Sequence, residues 1–265
     1  MLVLQYNILG GVYGVKEWFP DTPQEVLNWN ERRVRIAELI HSKDPDLFCL
    51  EELDDFSFFS KKMEQYGYLS SFAQRPSKPD GCGVFWKNEK LNLKSSDVID
   101  FADGTQRIGF LLLFERIGSN STNNKLYLLN THLYWDNHQP QVQIDEMSTL
   151  LNRLKSVNVD QSPTLICGDF NFLPNGESYN FLTQRGFKSA FENYKTNQHP
   201  PFTSKAKAPG KCIDYIFYKT NTIPTITVAK LVDLGEESLS NHYIPNQGHP
   251  SDHLPISAHF NFSSL

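Results

Sequence analysis

Several features that mark common protein classes are missing from this sequence. The four cysteines, Cys49, Cys82, Cys167 and Cys212, lie far apart and form no CxxC pair. That spacing supports neither a zinc site nor a disulfide framework. Four reduced, semi-buried thiols in a reducing compartment are expected instead. No stretch approaches the roughly 18 consecutive apolar residues that cross a bilayer. The start, Met1 to Asn7, lacks the basic region and long apolar run of a signal peptide. Basic residues are not in excess: 25 Lys and Arg against 30 Asp and Glu leave a net charge of −5. A broad nucleic-acid-coating surface is thereby excluded, though a local grip on a few phosphates is not. No repeat of solenoid length is present. These absences point to an intracellular, cytoplasmic protein without a membrane partner.

What is present suits a large folded core. The 265 residues are 39% hydrophobic and 13% aromatic, which rules out general disorder. No segment reads as an interdomain linker, so residues 1–265 are expected to form a single domain. Strands are predicted at Leu2–Asn7, Leu47–Glu51, Gly83–Trp86, Lys125–His132, Thr164–Asp169, Cys212–Tyr218 and Ile256–Phe262. Apolar residues near a 3.6 period predict helices over Asn30–Ser42 and Gln143–Lys155. Weaker patterns suggest helices at Phe56–Gln65 and Ser178–Arg185. Polar or Pro-rich stretches at 117–125, 196–211 and 234–250 read as loops.

Polar residues recur where the apolar strands end. Asn7 closes the first, Glu51 and Glu52 the second, His132 the fourth, and Asp169 and Asn171 the fifth. Asp214 lies within an apolar strand, where a carboxylate needs a partner, and Asp252-His253 precede the last strand. Asp169 and Asn171 are two apart, so in extended backbone both point one way. Separated carboxylates with amides and imidazoles suit a hard divalent cation, with waters that a phosphate oxygen displaces, better than they suit zinc. Each residue alone also fits a plain role. Asn7 can satisfy a strand end, Glu51–Asp55 can be a solvated acidic turn, and 168–171 an Asx turn. His132 can be packed, Asp214 can cap a loop, and Ser251-Asp252 can simply turn the chain.

The order of these elements resembles the endonuclease/exonuclease/phosphatase superfamily. The matching elements are Tyr6-Asn7, Glu51-Glu52, Asn130-Thr131-His132-Leu133, Gly168-Asp169-Phe170-Asn171, Ile213-Asp214-Tyr215-Ile216 and Ser251-Asp252-His253-Leu254-Pro255. Further segments are similar to the branch of carbon-catabolite-repressor-type deadenylases, nocturnin and Angel proteins. They are 27–33, Lys78-Pro79-Asp80-Gly81-Cys82, Thr131 to Asp136 and Ile244-Pro245-Asn246. The resemblance implies an α/β fold, a four-layer sandwich of two packed mixed β-sheets with helices outside, as in deoxyribonuclease I. It implies that Glu52 holds Mg²⁺ (Mn²⁺ as a substitute) with support from Asn7. Asp169, Asn171 and His253 would surround the nucleophilic water or a second metal, with Asp252 nearby. Asp214 would orient His253, and His132 would contact the scissile phosphate.

The same comparison exposes departures. Glu51 stands where the family has Gln, adding negative charge near the site. Asn137 replaces a proline that packs near the terminal base, Lys205–Lys211 offers no aromatic residue, and Gln143 and Glu146 stand where Arg and Gln are usual. The implied function is a Mg²⁺-dependent 3′→5′ exoribonuclease on single-stranded RNA, with Asn137 among the substrate-binding residues and the base stacking on Tyr134, Trp135, Phe202 or the Trp18-Phe19 loop. The alternative is a phosphatase on a small phosphorylated molecule, nucleotide or cyclic-phosphate end. The intact catalytic set argues against a binding module without activity, and DNA as substrate stays open. No docking domain for a larger complex is expected.

Overall fold

In this computed structural model, all residues are described except 119–122, 158–161, 194–198, 207–208, 220, 223–224, 232–241 and 264–265. Strand β1 (Leu2–Asn7) alternates its side chains between two apolar layers, as the period of a strand requires. Leu4 and Tyr6 join one hydrophobic cluster with Phe48 and Leu50 of β2 (Leu47–Glu51), while Val3, Leu47 and Cys49 join another. Both faces are buried, so the strands read as unbroken apolar runs. Parallel pairing of β1 with β2 sets Asn7 opposite Glu51. The first sheet is completed by β3 (Tyr68–Gln74), β4 (Gly81–Lys87), β11 (Thr225–Leu231) and β12 (Ile256–Ser263), in the order β11-β12-β1-β2-β4-β3.

The second sheet contains β5 (Leu91–Asp100), β6 (Ile108–Arg116), β7 (Lys125–His132), β8 (Thr164–Asp169), β10 (Asp214–Lys219) and β9 (Phe187–Ser189), in that spatial order. Only β7 and β8 pair in parallel within it, so both sheets are mixed. Helix α1 (Gln24–Leu27) is short; α2 (Trp29–Lys43) lays Ile36, Ala37 and Ile40 on the first sheet, and α3 (Phe56–Glu64) adds Phe59 and Met63. Met147, Leu150 and Leu154 of α4 (Pro140–Ser156) and Leu182 of α5 (Glu177–Thr183) pack into the core of the second sheet. Pro140 opens α4, where its missing N–H goes unneeded. The expected four-layer sandwich is what the chain forms.

Some local expectations change. Asp214 opens its strand rather than lying inside it, and β3, β5, β6, β9 and β11 were not anticipated. Residues 119–122, 196–198, 207–208 and 234–241 of the three expected loops lie outside the described residues. All four cysteines are free and buried, deeper than expected. No helix among the described residues is long and apolar enough to cross a membrane. The 27–33 segment has a structural use: fully buried Arg32 donates to the carbonyls of Ile8 (3.3 Å), Leu27 (3.4 Å) and Pro250 (3.1 Å). It thereby ties the loop after β1 to the loop before β12, with carbonyls replacing water around its charge.

Candidate active site

The site arises where inward-facing strand positions turn polar. On β1 the inner face runs Val3, Gln5, Asn7, and on β2 it runs Leu47, Cys49, Glu51. In the second sheet, register places His132 beside Asp169 in parallel pairing, and Asp214 opposite Asp169 in antiparallel pairing. Gly168 permits this closeness, because a Cβ there would stand 1.9 Å from the Thr131 carbonyl oxygen. Gly168→Ala is therefore expected to cost about 3 kcal/mol or more, seen as a lowered Tm in thermal unfolding. An unchanged Tm would mean that β7 and β8 part freely.

Asn7 links the two sheets. Its Nδ2 donates to Glu52 Oε1 (3.2 Å) and Asp169 Oδ2 (3.0 Å), while its Oδ1 accepts from Leu9 N (3.1 Å). Asp169 Oδ2 also lies 3.4 Å from His132 Nε2 and 3.7 Å from His253 Nε2. His253 Nδ1 meets Asp214 Oδ2 at 2.8 Å, a bond that orients the imidazole. Thr203 Oγ1 donates to that same oxygen (2.6 Å) and Gln5 Nε2 donates to Asp214 Oδ1 (3.1 Å). Asp252 Oδ1 lies 3.9 Å from His253 Nε2. Ser251 Oγ donates to Asn7 O (2.7 Å) and accepts from His253 N (3.2 Å), which locks this loop to the end of β1.

Asn171 departs from the extended geometry expected for it. Its φ is +56°, its N donates to Asp169 Oδ1 (3.1 Å), and its Nδ2 donates to Leu133 O (3.1 Å). Residues 169–171 thus form an Asx turn that still brings both side chains to one site.

Electrostatics match this crowding. Burial, reinforced by Asp214, raises the Asp169 carboxyl to about 7, and burial with Asp252 raises Glu52 to about 7. Burial opposes charge on His253, yet Asp214, Asp252 and Asp169 together hold its pKa well above the ordinary value. His132 moves the other way: burial and then the Arg107 and Arg75 charges push it well below, leaving a neutral imidazole at neutral pH. The ligand atoms of Asp169, Asp214 and His253 all lie within 4.8 Å of one another. Asp214 and His253 Nδ1 are committed to each other, so Glu52 and Asp169 supply the open oxygen donors. Such a donor set fits a hard divalent cation.

Burial opposes the negative charge expected at Glu51. The side chain is fully buried, and burial with the Asp214 charge raises its carboxyl far above the carboxylate range. Gln5 Nε2 donates to Glu51 Oε2 at 2.6 Å. Burial thus works against the charged form of this side chain, while the Gln5 bond favours it.

Above this cluster opens a cavity of about 930 Å³. Glu52, His132, Asp169, Asn171, Asp252 and His253 line it, whereas Asn7 and Asp214 are buried directly behind. Tyr134 and Trp135 also reach it, and Trp135 and Trp18 stand 64% and 61% exposed at its rim. Gln143 Nε2 donates to Tyr134 O (3.0 Å) and Glu146 Oε2 accepts from Tyr134 N (2.8 Å), so these two residues brace that wall. Two residues expected to bind substrate do not line this cavity. Phe202 is 5% exposed and absent from the lining, its ring covered by Lys205 and the Gly210 backbone. Asn137 also lies outside the lining. Arg75 and Arg107, which do line the cavity, had no motif to announce them. The nearest signal was Lys78-Pro79-Asp80-Gly81, since Asp80 pairs with Arg75 (3.1 Å) and accepts from Tyr13 Oη (2.7 Å).

Comparison with known proteins adds to this geometry. The family model described as "Endonuclease/Exonuclease/phosphatase family" matches residues 4–253. Nocturnin from Mus musculus is 28% identical over 285 aligned residues, covering 98% of this chain and 65% of that protein. The Saccharomyces cerevisiae CCR4-Not complex 3′-5′-exoribonuclease subunit Ccr4 is 27% identical, across 98% of this chain and 38% of its own length. The chain thus spans just under two thirds of the first relative and a smaller part of the second. A structure of ANGEL2, a 2′,3′-cyclic phosphatase, superposes with a TM-score of 0.86 at 21% identity, covering 98% of this chain and 95% of that one. The human Nocturnin catalytic domain with bound sulfate superposes at 0.81 with 25% identity, covering 99% and 93%.

Proposed function

The chain belongs to the endonuclease/exonuclease/phosphatase family, and from that premise we propose that it is a Mg²⁺-dependent phosphodiesterase that degrades single-stranded RNA from the 3′ end. One observation carries the reading. Carboxylates from both sheets, Glu52 and Asp169, meet through Asn7 beside two imidazoles, on the floor of a cavity rimmed by exposed tryptophans. We read residues 1–265 as one catalytic domain, because both sheets supply the site. The four free, buried cysteines fit a reducing, cytoplasmic setting.

Roles follow from position. Glu52 and Asp169, supported by Asn7 and Asn171, would hold Mg²⁺ or Mn²⁺, which supplies charge neutralisation for the phosphoryl oxygens. Asp169 accepts the proton of the attacking water. Asp214 keeps His253 oriented with Nε2 toward Asp169 and Asp252, and neutral His132 donates a hydrogen bond from Nε2 to the scissile phosphate. Trp135, Tyr134 and Trp18 offer ring faces to unpaired bases.

A substrate panel tests the reading: oligo(A), mixed RNA, single-stranded DNA, abasic duplex DNA and small phosphomonoesters. Ladders shortening from the 3′ end support it. Free phosphate without chain shortening favours the phosphatase reading, for which the ANGEL2 description supplies the precedent.

Stacking on one aromatic ring contributes about 1–3 kcal/mol per base. Trp135→Ala is thus expected to raise KM on oligo(A) about tenfold with little change in kcat. With Phe202 buried and Asn137 outside the lining, adenine preference should be weak, under about tenfold over oligo(U) or oligo(C) in direct competition. A much larger preference would mean that another side chain reads the base.

A further inference from the structure

One wall of the cavity carries a charge that the reaction above leaves unused. Arg75 and Arg107 both line it, from the loops joining β3 to β4 and β5 to β6. Arg75 is held in place: its Nη1 reaches both oxygens of Asp80 (3.1 and 3.3 Å) and its Nε donates to Gln106 O (3.0 Å). That last bond pins the backbone just before Arg107, and Arg107 N donates to Thr105 Oγ1 (3.1 Å). The Arg107 guanidinium is different, because its Nη1 is buried with no hydrogen-bond partner.

The nearby acids are occupied. Glu146 Oε1 accepts from Thr105 Oγ1 (3.2 Å), Glu146 Oε2 accepts from Tyr134 N, and Asp80 is shared by Arg75 and Tyr13. A buried cationic donor without a hydrogen bond is unfavourable; Arg75 repels the charge, and Glu52, Asp169 and Glu146 attract it without bonding its Nη1. Persistence of this arrangement calls for an anion that arrives with the ligand. The scissile phosphate already has His132 and the cation that Glu52 and Asp169 would hold, whereas Arg107 lines the same cavity from the loop before β6, close enough for its charge to act on His132 and Asp169.

We propose that Arg107 anchors a second phosphate of the substrate, beside the one that is cleaved. The ligand chemistry is that of a nucleotide carrying two phosphates: either the next phosphodiester of an RNA end or the second phosphate of a small bisphosphate. The inference rests on the phosphoester reading only for which phosphate counts as the first. A planar guanidinium binds phosphate through two parallel donors, a geometry that lysine cannot supply.

Binding in chelator, where hydrolysis does not intervene, separates this from the proposed activity. The full chain, Arg107→Gln and Arg107→Lys would be titrated calorimetrically with AMP, adenosine 3′,5′-bisphosphate and the 5′-phosphorylated diadenylate pApA. Wild-type protein should bind the two-phosphate ligands about 10- to 100-fold more tightly than AMP. Arg107→Gln should remove that advantage while AMP binding and Tm hold, and Arg107→Lys should restore only part of it. The ligand that loses more on substitution identifies the source of the second phosphate. Equal weakening for AMP and the bisphosphate, or none for either two-phosphate ligand, overturns the proposal. Neither result depends on whether RNA is degraded.

Discussion

Replacing Asp169 by Ala is expected to lower kcat at least about 10³-fold while Tm stays level or rises. The loss combines a missing proton acceptor, worth typically 10²- to 10⁴-fold, with a missing oxygen donor for the cation. Stability should not follow, because burial and the Asp214 charge already hold this carboxyl at about 7. Removing a group that resists burial relieves strain built into the site. Asn7 Nδ2 retains Glu52 as its acceptor, and the Asn171 N–H that loses Asp169 Oδ1 is only part-buried, which limits the offsetting cost. Steady-state kinetics on a 3′-labelled oligonucleotide, beside thermal unfolding, decides the matter. A near-wild-type kcat would remove Asp169 from the chemistry, and a collapsed Tm would make its role structural.

The second large effect concerns the cation. Turnover should vanish in chelator and return with Mg²⁺ or Mn²⁺, because the open donors are carboxylate oxygens. The carboxyl groups of Glu52 and Asp169 rise from 4.5 and 3.8 to about 7 in the folded, metal-free chain. Between about pH 4 and 7 the folded state therefore binds more protons than the unfolded one, so stability falls as pH rises through this window. His253 acts in the same direction, since its raised pKa contributes stability that is lost as pH climbs through the folded value. A divalent cation competes with protons for the carboxylate oxygens. The Tm gain on adding Mg²⁺ should accordingly be small near pH 5 and widen toward pH 8. A gain independent of pH would show that Glu52 and Asp169 are not the oxygens that hold the ion.

The candidate site residues were legible because their types are out of place locally. Asn7, Glu52, His132 and Asp169 interrupt or end apolar runs, and α2 and α4 announce themselves by period. Edge and short strands did not. In β5, Leu91–Asp100, much of the strand is exposed, and its polar side chains suit an edge facing water rather than a pattern facing a core. β6 is an apolar run buried on both faces, which periodicity alone cannot distinguish from a helix segment.

Sequence alone determined which polar residues end the apolar strands and in what order, since that depends on residue type and near neighbours, and the resemblance carried by that order implied the class of fold. Tertiary packing decided what those residues become. Phe202 looked like a stacking platform until the Gly210 backbone and Lys205 closed over it. Glu51 looked like plain added charge, but complete burial and the Asp214 charge on the other sheet push its carboxyl well above the ordinary range. No motif marked Arg107, whose buried Nη1 is left without a partner where Arg75 bonds Asp80 and Glu146 bonds Tyr134 and Thr105. Exposure, protonation and pairing are set by groups distant in the chain, and only the packing of the two sheets brings them within reach.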